Sequence, residues 1–289
     1  RSRGLGDVYK RQDIAIAFLL AFITAFVITP YSIRLAKKVG AVDYPNDRRV
    51  NKKPMPRLGG IAVIAGFLVS AIYLIITMRI ENNIDFITDG LGKKLLGFLF
   101  GAMVLGITCY IDDVKGISPL VKLAGQLIAA IIVVSCGVRI DNFTIPFKEN
   151  SIMINEVISY ILTIGWIVGI TNAINLIDGL DGLSSGITLI ACISMLIIFS
   201  LNESPLIAII LITALAGAIV GFLPYNFNPA KTFIGDVGSN FMGYAISIIS
   251  ILGVAKTYTA IVIIAPIIVL ALPIFDTLWA IVRRIVKTK

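Results

Sequence analysis

Carboxylates, amides and ammonium groups are gathered into five short segments of a chain that is otherwise almost wholly apolar. They are the basic stretch 43–60 (DYPNDRRVNKKPMPRLGG), the acid pair with its lysine at 112–115 (DDVK), and the run 172–182 (NAINLIDGLDG). The run 224–240 (PYNFNPAKTFIGDVGSN) follows, and then Asp276 with Arg283 and Arg284. Carboxylates are costly at membrane depth and are seldom kept there without a role. Set at one membrane face and mixed with Lys, Asn and Gly, they have the composition of a site for a divalent cation and phosphate groups.

Each segment suggests a specific chemistry beside a plainer alternative. Asp112 and Asp113 end an apolar run, and acids at a helix C-terminus oppose its dipole unless a cation or a proton compensates. Either acid could ligate Mg²⁺ or act as a base, with Lys115 and Lys122 supplying positive charge for phosphate. The alternative is a solvated helix end. Asn172, Asn175, Asp178 and Asp181 recur every three residues, which predicts one polar face if the segment is helical. That face suits a polar cavity, or else a polar contact between helices. Asp236, between Gly235 and Gly238 and just before an apolar run, predicts a tight turn at a helix N-terminus, where amide N–H groups attract phosphate. A simple capping role is the alternative.

A hard cation wants a few carboxylates plus substrate phosphate oxygens. Asp236, together with Asp178 or with the pair that includes Asp113, meets that need. Phe233 could stack on a base or simply pack. The basic stretch, with Lys53 and Arg57, is either a membrane-face anchor or, shaped by Pro54, Pro56, Gly59 and Gly60, a holder for a diphosphate. Asp276, beside Pro273, could be structural.

The chain has 289 residues, is 57% hydrophobic and 15% charged, and has a mean hydropathy of +0.94. Soluble domains average about a quarter charged. Apolar runs of about 20 residues recur, long enough to cross a bilayer. The fold expected is all-α and integral to a membrane. Residues 1–12 (RSRGLGDVYKRQ) read as a non-native scar or disordered extension, leaving 13–289 as one transmembrane domain. The formal charge of +8 falls to +5 without that segment. The basic residues therefore read as loop anchors, not as a nucleic-acid surface. Cys109, Cys136 and Cys192 lie in apolar stretches without metal-ligand spacing, and there is no histidine.

Nine spans are predicted, near 13–36, 59–79, 94–112, 119–137, 155–173, 184–201, 205–223, 238–254 and 258–280. Outside residues 1–12, fifteen Lys and Arg fall on one side of such a bundle and six on the other. The richer side is expected to face the cytoplasm, and all five polar segments fall there. A short hairpin or interfacial piece is expected within 139–154.

Taken in order, RRVNKKPMPRLGG, DDVKGISPLVKLAGQ, NAINLIDGLDGL, FNPAKTFIGDVGS and PIFDTLWAIVRR resemble the polyprenyl-phosphate N-acetylhexosamine-1-phosphate transferases of glycosyltransferase family 4. The resemblance covers nearly everything from Asp43 to Arg284. It implies a polytopic bacterial inner-membrane enzyme that moves a sugar-1-phosphate from a UDP-sugar to undecaprenyl phosphate. It also implies release of UMP, dependence on Mg²⁺ (or Mn²⁺) and, by analogy, a homodimer. By the same resemblance, Asp112 and Asp113 correspond to an acid pair at the lipid phosphate and Asp236 to a metal ligand. Asn175 and Asp178 match a nucleotide- and metal-proximal motif, Lys122 a substrate lysine, and Phe233 an aromatic beside uracil. Asn172, Asp181, Lys115, Lys231, Lys53 and Arg57 complete the expected substrate contacts, and Asp236, Asp178 and Asp113 the expected metal set.

The PRLGG ending favours an N-acetylglucosamine donor over MurNAc-pentapeptide. Two departures stand out: Asn51 takes the place of a histidine, and the family's His-rich motif after Arg283–Arg284 is absent, which suggests a C-terminally incomplete chain. DGLDGLSSG also resembles CDP-alcohol phosphotransferases, and the acid pair resembles intramembrane prenyltransferases, but neither family's remaining motifs occur. An ion-coupled transporter would place its acids at mid-membrane, often in repeated halves. Here they sit at span ends, without repeats.

Overall fold

The computed structural model describes residues 2–45, 53–82, 90–144, 151–202 and 204–253, together with Phe275, Trp279 and Arg283. Among these residues the chain forms eight helices. They are α1 (Ser2–Val39), α2 (Gly60–Asn82), α3 (Gly90–Lys115), α4 (Pro119–Ser135), α5 (Glu156–Leu176), α6 (Leu183–Leu201), α7 (Leu206–Asn226) and α8 (Gly235–Leu252). The first helix runs back to Ser2, well before the expected start of the first span. The predicted ninth span, 258–280, lies outside the described residues, as do Asp276, Arg284 and Asn51.

Six of these helices, α1, α2, α3, α5, α6 and α7, are long and apolar enough to cross a membrane. The protein is a multi-pass membrane protein. At 17 residues, α4 reaches only about 26 Å, just short of a typical hydrocarbon core. Local sequence sets its start: Ser118 accepts the Val121 N–H and Pro119 follows at the first helical position. Asn155 caps α5 in the same way through the Val157 N–H at 2.9 Å.

Two short antiparallel pairs interrupt the helical pattern. Strand β1 (Val42–Asp43) pairs with β2 (Met55–Pro56), and β3 (Asn142–Thr144) pairs with β4 (Ser151–Met153). The second pair is the hairpin expected within 139–154. The first folds the basic stretch back against the end of α1, where the Arg57 N–H donates to the Ala41 carbonyl at 3.1 Å.

Helix α7 is the buried centre, packed against α1, α2, α6 and α8, while α8 also meets α2, α3, α5 and α6. Helix α7 is apolar nearly all round, as an interior helix must be, whereas α8 carries a polar stripe through Asp236, Asn240, Tyr244 and Ser247. Phe67, Phe98, Phe241 and Tyr244 form a continuous aromatic cluster of edge-to-face and tilted contacts between α2, α3 and α8. Because α3–α4, α5–α6 and α7–α8 are joined by short turns, the C-terminal ends of α3, α5 and α7 meet the N-terminal ends of α4, α6 and α8 at one end of the bundle. Cys109 and Cys192 are buried as small apolar groups, whereas Cys136 is only half-buried.

Candidate active site

Helix α8 begins without a cap of its own, since Ile234 at the capping position has no side chain that can accept. The first N–H groups of a helix need acceptors. Asp113, 123 residues away in the chain, provides them. Its Oδ1 accepts the Asp236 N–H at 3.1 Å and its Oδ2 accepts the Val237 N–H at 2.9 Å. The Arg57 Nε lies 3.1 Å from the same Oδ1 as an ion pair, though not aligned as a hydrogen bond. A carboxylate opposed by the dipole of α3 is therefore compensated by the positive end of α8 and by a guanidinium.

Glycine makes this approach possible. Gly235 has φ +72, and a Cβ there would overlap the Arg57 carbonyl and lie 2.8 Å from Asp113 Oδ2. Gly60 at the start of α2 meets the backbone of Gly238 so closely that a Cβ would collide with it. Three backbone bonds lock the two segments: Phe233 N–H to the Pro56 carbonyl (2.8 Å), Gly59 N–H to that of Phe233 (3.0 Å) and Gly60 N–H to that of Ile234 (2.7 Å).

Lys122 is the hub of the charged layer. Its Nζ lies 2.5 Å from Asp236 Oδ1, 3.2 Å from Asn175 Oδ1 and 3.3 Å from Asp112 Oδ2. Asn175 in turn donates to Asp236 Oδ1 at 2.7 Å and to Ser239 Oγ at 2.9 Å. One ammonium thus ties α3, α4, α5 and α8 together. Asp112 spends its other oxygen on the Ile117 N–H at 3.0 Å, closing the α3–α4 turn.

A cavity of about 960 Å³ opens beside this layer. It is lined by Lys53, Arg57, Asp113, Asn175, Asp178, Asp181, Phe233 and Asp236, along with Asp43, Asn226 and Asn228. The expected helical stripe through Asn172, Asn175, Asp178 and Asp181 does not exist as such. Helix α5 ends at Leu176, and both acids lie in the turn that follows. There Asp178 accepts from Ser184 Oγ at 2.6 Å. Burial pushes its carboxyl up to about 7; the Ser184 bond and the Lys122 charge oppose that rise, and the Asp236 charge adds to it. Asp181 pins the cavity wall by accepting from the Ala230 N–H (3.0 Å) and from Asn228 Nδ2 (3.2 Å).

Several expected contacts lie elsewhere. Lys115 is exposed at the end of α3, and Lys231 is exposed over the Tyr225 ring at 5.7 Å. Asn172 faces Gln126 and not the cavity. Gln126, Ser239 and Asn240 were not singled out from sequence. The available signal was spacing, since Gln126 and Asn240 follow Lys122 and Asp236 by four residues and so share their helical faces. Asp43, Asn226 and Asn228 were missed as well, because nothing local distinguishes a lining residue from a loop residue.

Among the described residues, no three His, Cys, Asp or Glu side chains stand close enough to hold a metal by themselves. Asp113 has both oxygens engaged. Asp236 Oδ2 and Asp178 Oδ2, by contrast, receive no hydrogen bond from the described residues, and both side chains line the cavity. Two carboxylates and no imidazole suit a hard cation that takes its remaining ligands from a phosphorylated substrate and water.

The profile of the Glycosyl transferase family 4 matches residues 95–254. A probable undecaprenyl-phosphate N-acetylglucosaminyl 1-phosphate transferase of Bacillus subtilis is 44% identical over 278 residues, covering 95% of this chain and 72% of that protein. A decaprenyl-phosphate N-acetylglucosaminephosphotransferase of Mycobacterium tuberculosis is 34% identical over 306 residues, or 98% and 73%. A phospho-N-acetylmuramoyl-pentapeptide-transferase of Staphylococcus epidermidis is also 34% identical, over 251 residues, or 82% and 74%.

Proposed function

The chain belongs to glycosyl transferase family 4, and from that premise we propose that it transfers N-acetylglucosamine-1-phosphate from UDP-N-acetylglucosamine to undecaprenyl phosphate. UMP is released, and the lipid-diphosphate-sugar product primes a cell-envelope polymer. The proposed setting is a bacterial inner membrane crossed nine times, with the site facing the cytoplasm. The observation that carries the reading is the convergence of Lys122, Asp112, Asn175 and Asp236, the last two lining a cavity of about 960 Å³.

In the reaction we favour, an oxygen of the lipid phosphate attacks the β-phosphorus of the donor. The new P–O bond forms as the bond to the bridging oxygen of UMP breaks. Arg57 and Lys53, on the cavity wall, supply positive charge to the diphosphate. Phe233, Leu180 and Pro229 are apolar residues of the cavity wall, and Phe233 offers a face on which a uracil ring can lie. Lys122 holds Asp236 Oδ1, so that Oδ2 alone is left toward the cavity. Asp113 fixes the start of α8 and with it the position of Asp236. Asp236 and Asp178 would hold Mg²⁺, which when bound offsets charge on the diphosphate. The work of the protein is then mostly positioning and electrostatics, as in other phosphoryl transfers.

The test is UMP release by purified protein given undecaprenyl phosphate, Mg²⁺ and UDP-N-acetylglucosamine. Release that Asp236→Asn abolishes supports the reading. Release only with UDP-MurNAc-pentapeptide reassigns the donor. Substrate flux across sealed vesicles without conversion replaces the enzyme with a transporter. A phosphorylated protein trapped with UDP-sugar alone would replace direct attack with a covalent step through Asp236 or Asp113.

A further inference from the structure

One helical turn deeper than the charged layer lies a second polar layer that the transfer reaction does not use. Gln126 is 2% exposed and Asn240 fully buried. Gln126 Nε2 donates to Asn240 Oδ1 at 2.7 Å and, more weakly, to Asn172 Oδ1 at 3.3 Å. Gln126 Oε1 accepts from Asn172 Nδ2 at 2.7 Å, and that same nitrogen donates to the Val168 carbonyl at 2.9 Å. Asn240 Nδ2 donates to the Asp236 carbonyl at 2.8 Å.

The two layers come from the same three helices. Lys122 and Gln126 belong to α4, Asn175 and Asn172 to α5, Asp236 and Asn240 to α8, with offsets of four, three and four residues. The polarity of the amides is determined throughout. Because Asn240 gives its NH₂ to the Asp236 carbonyl, its oxygen must face Gln126. Because Asn172 gives its NH₂ to Val168 and Gln126, its oxygen faces Gln126 as well. Gln126 therefore has to present a donor to both neighbours and an acceptor to one, which its amide does and no apolar or acidic side chain of that size does.

We propose that Gln126, Asn172 and Asn240 form a positioning layer that holds α4, α5 and α8 in register, so that Lys122 and Asn175 meet Asp236. None of the three lines the cavity. They are positioning residues, and the proposal rests on the transferase reading for its effect on rate. Sliding any one helix by a residue turns its amide away by about 100° and breaks this layer. Polar side chains between membrane helices contribute only modestly to association, on the order of 1 kcal/mol each. Three interlocked amides are thus better suited to specifying register than to holding the bundle together.

The experiment pairs turnover with hydrogen exchange on the full chain in detergent. Gln126→Met keeps length and volume but has no donor. Expected are a kcat reduced by roughly 10- to 100-fold, the range that small misplacements cost, and KM for both substrates within about twofold of wild type. Amide exchange over 235–243 should be faster, with α7 unchanged. A lower thermal midpoint with wild-type kcat would make the layer simple glue and overturn the proposal, as would a raised KM with kcat intact. If Gln126→Met does not accumulate folded, Asn172→Ala removes one member, and the same outcomes decide. If the wild-type protein shows no transfer at all, the transferase reading falls. The exchange comparison then decides the positioning layer by itself, since unchanged exchange over 235–243 overturns it.

Discussion

Asp113 caps the helix that carries Asp236: the Asp236 N–H donates to Asp113 Oδ1 at 3.1 Å across 123 residues of sequence. An acid at the end of one helix supplies the N-terminal acceptor that the next functional helix lacks. Asp113→Ala leaves two amides without acceptors and takes from Arg57 its nearest carboxylate, with Asp43 and the Asp112 carbonyl still in reach, and should cost about 2–4 kcal/mol. Asp112→Ala loses one turn-closing bond and a partly exposed ion pair, and should cost no more than about 1–2 kcal/mol. Denaturation midpoints of the two variants check the order, and a larger loss in Asp112→Ala would contradict the capping role.

Lys122 neutralises two carboxylates and orients an amide at once. Lys122→Met should lower turnover by at least about 100-fold. Lys122→Arg should not restore it, because a planar fork cannot replace a compact ammonium with three separate partners. Rates near wild type in the arginine variant would show that charge alone suffices.

Gly235 has room for no side chain. Gly235→Ala combines a positive φ with a clash against the Arg57 carbonyl, and should destabilise by about 1–3 kcal/mol. It should also displace Asp236 enough to remove most activity. A stable and active alanine variant would mean that the 57–60 and 233–238 segments can separate without consequence.

Chelation should silence transfer, and added Mg²⁺ should restore it. With one of its two proposed protein ligands removed, Asp178→Asn should raise the Mg²⁺ concentration needed for half-maximal rate by about 10-fold or more. An unchanged requirement would exclude Asp178 as a ligand.

Asp178 titrates near 7 when folded, against 3.8 for an ordinary aspartate. Between those values the folded, metal-free protein binds more protons than the unfolded chain. Its stability therefore falls as pH rises through the window from about 4 to about 7. Thermal midpoints of metal-free protein across that window should decline with pH, and the decline should be shallower in Asp178→Asn. Equal slopes would place the titration elsewhere.

Much of the architecture was legible because the periodic and compositional signals are strong. Eight of the nine expected spans coincide with helices, and the hairpin within 139–154 is present. The turn at Gly235–Asp236 was legible too, since glycine beside an acid ahead of an apolar run leaves few backbone choices. The Asn172–Asp181 stripe failed because a three-residue spacing does not tell a continuous helix from one that stops at Leu176. Lys115 and Lys231 looked equivalent to Lys122 by charge, yet only Lys122 begins a helix that turns its face inward.

The sequence alone determined that this is a membrane bundle with its polar residues at one end, because hydropathy and charge asymmetry act through the solvent and need no partner. Which acid caps a helix, which lysine bridges and which amides interlock was decided only by tertiary structure. Asp113, Gln126 and Lys122 acquire their roles from groups 46 to 124 residues away, and those distances close only when α3, α4, α5 and α8 pack.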